Sequence, residues 1–279
     1  MLARSAEALF AGLIDYAGLF PPAALSMEQA LRNYDAYRQG EHAWMLGRFV
    51  VTAQRLEEVL PLIRPSGTFS PPRGEKDLGA DDRVRGVEFL SVLGIHADAD
   101  TIEVKAMSAD EVEAIASRTG GKTVYIETAD LSLLDIIAQH GLRAKIRTGG
   151  VTADAFPAAE AIAHFIRACA ERGVAFKATA GLHHPIRCVR PLTYEADAPR
   201  GTMHGFVNVF MAAALPVRAE EILMEDDPRA FAFDDDAASW RGNRVATETL
   251  RDVRQRFAIS FGSCSFEEPV ADLKELGWL

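Results

Sequence analysis

Cysteine is scarce in this chain of 279 residues. Cys169, Cys188 and Cys264 are too few and too scattered for a disulfide framework or a zinc knuckle, which points to a reducing, cytoplasmic setting. Basic charge is also in short supply. Thirty Lys and Arg against 40 Asp and Glu leave a formal charge of −10, which excludes a broad basic face for nucleic acid but not a local basic pocket for a small anion. Long apolar runs are missing too. Glu7 and Asp15 interrupt the N-terminal MLARSAEALFAGLIDYAGLF, and no small-residue cleavage site follows, so it does not read as a signal peptide. The most apolar later segment, Gly205 to Val217, carries Asn208 and Pro216 and falls short of the roughly 20 residues that span a bilayer. A soluble protein without a membrane partner is expected.

What the chain does have is core-forming material, 48% hydrophobic against 25% charged, enough to bury a large core. Ala6, Leu9, Phe10, Leu13 and Ile14 fall at helical spacing, and a second helix runs from Ser26 to Gly40, so residues 1–42 read as an N-terminal helical extension. WMLGRFVVT at 44–52 reads as the first strand, and a helix is expected over 54–63. Residues 65–85 are crowded with Pro, Gly and charge and read as an exposed loop. VRGVEFLSVLG and DTIEVKAM then predict a hairpin or two barrel strands.

From Ser108 the rhythm is regular. Strands at 122–127, 142–147 and 174–179 alternate with helices that Ser108, Asp130 and Asp154 can cap, a βαβαβ series of parallel strands. With strands near 44, 87, 101, 122, 142, 174, 231 and 257, the expected fold is α/β: a single, irregular (β/α)8 TIM-barrel-like domain over 1–279.

The three central strands alternate strictly. Val124, Ile126, Ala144, Ile146, Phe176 and Ala178 share one face, while Glu127, Lys145, Arg147, Lys177 and Thr179 share the other. In a barrel the polar set points inward at the C-terminal ends of the strands, where chemistry resides. Lys177, between Phe176 and Ala178, is placed either as a desolvated amine nucleophile or as the counter-ion of Glu127. Lys145, Arg147 and the Gly149–Gly150 loop form an anion-binding arrangement, with the loop read as lying at a helix N-terminus. His183 and His184 follow Lys177 on an exposed loop, where at most one of them is expected to serve as acid or base; Gly181 lies in the same loop, His204 further along, and Arg48 is the single charge of the first strand. Cys264 follows the last strand, where a nucleophile is conceivable, but without an identifiable histidine partner it reads as a buried or incidental thiol.

The series IET, KIRTGG and KATAGLHH resembles the later strands of deoxyribose-phosphate aldolase and similar class I aldolases, and the chain as a whole looks like a bacterial (β/α)8-barrel-like family of uncharacterised activity. The aldolase resemblance covers about 60 residues and implies a Schiff-base lysine at Lys145 or Lys177, with the other as its cationic neighbour. Arg147, between Lys145 and Thr148, and the HHP run depart from that pattern.

The expectation is an enzyme of lyase or aldolase type acting on a small carbonyl compound that bears a carboxylate or phosphate. Lys177, Lys145, Glu127 and His183 are the catalytic candidates. Arg147, Gly149, Gly150, Thr179, Gly181, His184, His204 and Arg48 are the substrate-binding ones. No cofactor and no metal are assigned, and a homo-oligomer is compatible with the chain. Two alternatives stand beside this: a metal-assisted hydrolase or isomerase using His183, His184 or His204, and a non-catalytic anion-binding barrel.

Overall fold

The computed structural model describes residues 2–55, 89–93 and 99–279. The expected loop at 65–85 and all but the start of the 54–63 helix lie outside them.

Eight strands form a curled, barrel-like sheet: β1 (Ile14–Tyr16), β2 (Leu46–Thr52), β3 (Phe89–Leu93), β4 (Ala99–Lys105), β5 (Thr123–Glu127), β6 (Arg143–Arg147), β7 (Phe176–Thr179) and, last in the chain, β13 (Ala258–Ser263). They follow the order β1-β13-β7-β6-β5-β4-β3-β2, and β1 pairs with β13 on one side and β2 on the other. Seven strands run parallel. β3 runs antiparallel to both β2 and β4, so the expected regular (β/α)8 pattern is broken at that hairpin.

Two strand assignments change. The barrel strand at the N-terminus is Ile14–Tyr16, so residues 1–42 are not solely a helical extension: the first helix stops at Phe10 and Gly12, at φ 57°, turns the chain into β1. Phe231–Phe233 (β10) is a strand, but it pairs with Ala237–Trp240 (β11) in a separate three-stranded antiparallel sheet completed by Asn243–Ala246 (β12). The remaining strands, Cys188–Pro191 (β8) and Arg200–Met203 (β9), form a hairpin after β7.

The caps follow local chemistry. Ser26 Oγ accepts from Gln29 N at 3.2 Å, and Ser108 Oγ accepts from Glu111 N at 3.3 Å. Asp130 starts a short turn that leads into the helix Leu134–Gln139. Asp154 caps no helix: the long crossover helix spans Ala159–Arg172, beyond Pro157, and ends at Gly173 with a left-handed φ of 65°. Its apolar side, including Ile162, Phe165 and Ile166, is buried, and Phe165 meets Phe176 of β7 edge to face at 5.5 Å. The apolar helix Phe206–Ala214 packs Phe206 flat on Phe261 of β13, with ring centroids 5.0 Å apart. Among the described residues no helix is long and apolar enough to cross a membrane.

Candidate active site

The polar faces of β5, β6 and β7 meet inside the barrel. Strand register sets Glu127 beside Lys145 and Lys145 beside Lys177. Both lysines are 1% exposed, which requires partners, because an isolated buried ammonium carries a penalty of several kcal/mol. The partners come from β1 and β4, whose carboxylates are not among the expected site residues. Glu103 of β4, 2% exposed, accepts from Lys177 at 2.5 Å through one oxygen and from Lys145 at 2.9 Å through the other. Asp15 of β1 accepts from Lys177 at 2.6 Å and from Ser260 Oγ of β13 at 2.7 Å through Oδ2, while its Oδ1 takes the backbone N–H of Arg48 at 2.8 Å. Glu127 completes the row, 2.8 Å from Lys145 and 3.7 Å from Arg147.

Carboxylate and cation therefore alternate: Asp15, Lys177, Glu103, Lys145, Glu127, Arg147. Burial alone would push the Lys177 amine down, but the carboxylates of Asp15 and Glu103 outweigh it and hold its pKa above the ordinary lysine range. Burial alone would raise Glu103; Lys177 and Lys145 pull it down to about 2. Lys177 is thus an ammonium at neutral pH. Two of its three donors face carboxylates, as do two of the three of Lys145, so each has one donor to spare for a substrate oxygen.

Above the row opens a cavity of 510 Å³, with Lys145, Lys177 and Glu103 in its floor. Its rim comes from the C-terminal ends of the strands and the segments after them, with Thr52, Arg147, Thr179, Gly262 and Cys264 among the residues there, and from Phe20, Pro21 and Pro22 after β1. The Arg147 side chain is more than half exposed and bonds only loosely to Glu127, so its fork is open to an anion. Gly150 and Gly181 line the cavity. Gly149 serves packing instead: a Cβ there would lie 2.4 Å from the Phe156 ring, and one on Gly181 would lie 2.9 Å from Gly149 Cα. The two loops thus touch backbone to backbone. Thr148 Oγ1 ties them further by donating to Ala180 O at 2.7 Å, and Ala180 itself is held at φ 63°. A short 3-10 turn, Ala153–Ala155, separates the glycine loop from the helix at Ala159, so the expected helix N-terminus does not lie next to it.

The histidines part company. His183 lines the cavity; its Nδ1 lies 2.9 Å from Glu268 Oε2 and its Nε2 3.9 Å from Cys264 Sγ. Burial works against its charge, but Cys264 and Glu268 raise its pKa to about 9, so it is an imidazolium at neutral pH. Tyr194 OH donates to the same Glu268 oxygen at 2.8 Å and lies 3.8 Å from Cys264 Sγ. The Cys264 thiol is buried, as expected, and has in His183 the histidine neighbour that the sequence does not disclose. His184 pairs with Asp272 at 2.6 Å, and His204 Nε2 donates to Pro157 O at 2.8 Å; neither is among the described residues lining the cavity. Burial holds the His204 pKa down. Among the described residues no group of three or more His, Cys, Asp or Glu side chains is arranged to hold a metal ion. Arg48 serves the site through its backbone N–H.

Comparison of the chain with protein-family models, with curated proteins and with solved structures gives no match.

Proposed function

We propose that the protein is a lyase of aldolase type that cleaves or forms a carbon–carbon bond in a small carbonyl compound bearing a carboxylate or phosphate. One observation carries this reading: two fully buried ammonium groups, Lys145 and Lys177, share Glu103 at the floor of an open cavity. A buried ion network is poor support for stability alone, since well-packed apolar residues of the same volume do as well or better. Barrel interiors are usually filled with branched aliphatic side chains. Charges retained beneath a cavity have their natural use in chemistry.

In this reading Arg147, with the loop carrying Gly149 and Gly150, holds the anionic group, and the substrate carbonyl oxygen descends to the spare donors of Lys177 and Lys145. Glu127 takes the proton of a β-hydroxyl. As the carbon–carbon bond breaks, its electron pair moves into an enolate whose oxygen faces the ammonium groups, and Lys145 returns a proton to the enolate carbon. Preorganised charges are worth most where water is excluded, which is the setting of these two lysines. Lys177 acts here as an electrostatic catalyst. The covalent variant, a Schiff base as in the aldolases that the KIRTGG and KATAG motifs resemble, requires a neutral amine, and Asp15 and Glu103 oppose its formation.

The experiment is a panel of β-hydroxy carbonyl compounds, half carrying a carboxylate and half a phosphate, followed by NMR for cleavage and for the reverse addition. Turnover of at least one class, abolished by Lys177→Met, is expected. Binding without turnover across the panel supports a non-catalytic anion-binding barrel instead. The metal-assisted alternative has no comparable support, because His183, His184 and His204 are committed to three different partners.

A further inference from the structure

Cys264, His183 and Glu268 lie where three separate segments converge: the end of β13, the loop after β7, and the helix Glu267–Glu275. Glu268 grips Nδ1 of the imidazole, which fixes Nε2 toward sulfur. A nucleophile, an imidazole and a carboxylate orienting that imidazole is the general arrangement of an activated thiol. Sulfur and imidazole both border the cavity that holds Lys145, Lys177 and Arg147, so an anionic carbonyl compound bound there has access to them. None of the steps proposed for the lysine row uses this cluster.

We propose that Cys264 is a second nucleophilic centre of the cavity, which adds reversibly to the carbonyl carbon of a small aldehyde bearing a carboxylate. Sγ forms a bond to the aldehyde carbon as the S–H bond breaks. The carbonyl π pair moves onto oxygen, and that oxygen takes the proton from His183 Nε2. The thiol proton replaces it on Nε2, so the product is a hemithioacetal beside the same imidazolium, and no oxidant, reductant or leaving group is involved. Glu268 is a positioning residue: it touches His183 and Tyr194, not sulfur. The other two cysteines lack the arrangement. Cys169 is sealed in the crossover helix, where burial raises its thiol to about 12, and burial also raises the half-buried Cys188.

The test is alkylation of the intact protein by iodoacetamide at pH 7.5, with each cysteine followed by peptide mass spectrometry. Although Cys264 is the more deeply buried, it is expected to react about ten-fold faster than Cys188. His183→Asn should remove that advantage and Glu268→Gln reduce it, with circular dichroism checking that each variant is folded. The carbonyl step has its own arm in the wild-type protein, which no folding failure affects. Glyoxylate is expected to protect Cys264 at least ten-fold more strongly than oxamate, a carboxylate of similar shape whose amide carbon does not accept a thiol. Equal reactivity of Cys264 and Cys188 overturns the proposal. So does equal protection by the two acids, or protection by neither. Because alkylation needs no turnover, these outcomes are independent of the lyase reading.

Discussion

Lys145 and Lys177 stand side by side in the register of β6 and β7 and divide one carboxylate between them, each bonding a different oxygen of Glu103. Glu103 is therefore the central link of the row. Its pKa lies below the unfolded value, so its contribution to stability is complete above about pH 4.5 and disappears as pH falls toward about 2. The displacement corresponds to roughly 3 kcal/mol. Urea unfolding measured between pH 7 and pH 2 should show this loss, and Glu103→Gln should flatten the profile while lowering stability at pH 7 by about 3–5 kcal/mol. A variant as stable as the wild type at pH 7 would show that the network contributes nothing to the fold.

Gly47 permits the close approach of Asp15. A Cβ at this position would lie 2.3 Å from Asp15 Oδ1. Gly47→Ala should displace the carboxylate, weaken its bonds to Arg48 N and Lys177, and cost about 1–3 kcal/mol, read as a lower denaturant midpoint at unchanged slope.

Thr148 is fully buried, and its hydroxyl joins the glycine loop after β6 to the turn after β7. Thr148→Val keeps the shape and removes the donor. A loss of about 1 kcal/mol is expected, together with weaker binding of any anion held at Arg147, because both loops border the same cavity. Calorimetric titration with a bound carboxylate or phosphate, once found, compares the two proteins.

His183 provides a pH signature of opposite sign. Its folded pKa of about 9 lies above the ordinary 6.5, so its contribution to stability is complete below about pH 6.5 and is lost as pH rises through 9. Imidazole shifts followed by NMR should give a midpoint near 9 in the wild type, and Glu268→Gln should lower it by about a unit or more, since a carboxylate partner is removed. A wild-type midpoint near 6.5 contradicts the Cys264–His183–Glu268 geometry.

Much of the site was legible where chemistry and local period coincide. The alternation of Glu127, Lys145, Arg147, Lys177 and Thr179 on three successive βα units was sufficient to bring both lysines to one surface. Their partners were not legible, because Asp15 and Glu103 lie 162 and 74 positions from Lys177 and meet it only through the curl of the sheet. Glu103 did leave a trace: a carboxylate flanked by Ile102 and Val104 in an expected strand. β1 has three residues, too few to show a period, and its first residue, Ile14, continues with Leu13 the helical spacing of the preceding segment. Phe231–Phe233 has strand chemistry without a barrel position, since composition does not say which sheet a strand joins. Cys264 and His183 are 81 positions apart, and nothing in either local sequence announces the other.

If the ammonium groups of Lys145 and Lys177 stabilise an enolate, exchange of substrate α-protons for deuterium measures it directly. Pyruvate and dihydroxyacetone phosphate, one carboxylate and one phosphate, are incubated in D2O with the wild type, Lys145→Met and Lys177→Met, and their proton signals are followed. Exchange of at least one compound above the buffer rate is expected, reduced by about 100-fold or more in both variants, with no lysine adduct after borohydride. Exchange of neither compound, or equal exchange by the wild type and the variants, contradicts enolate stabilisation by the two lysines.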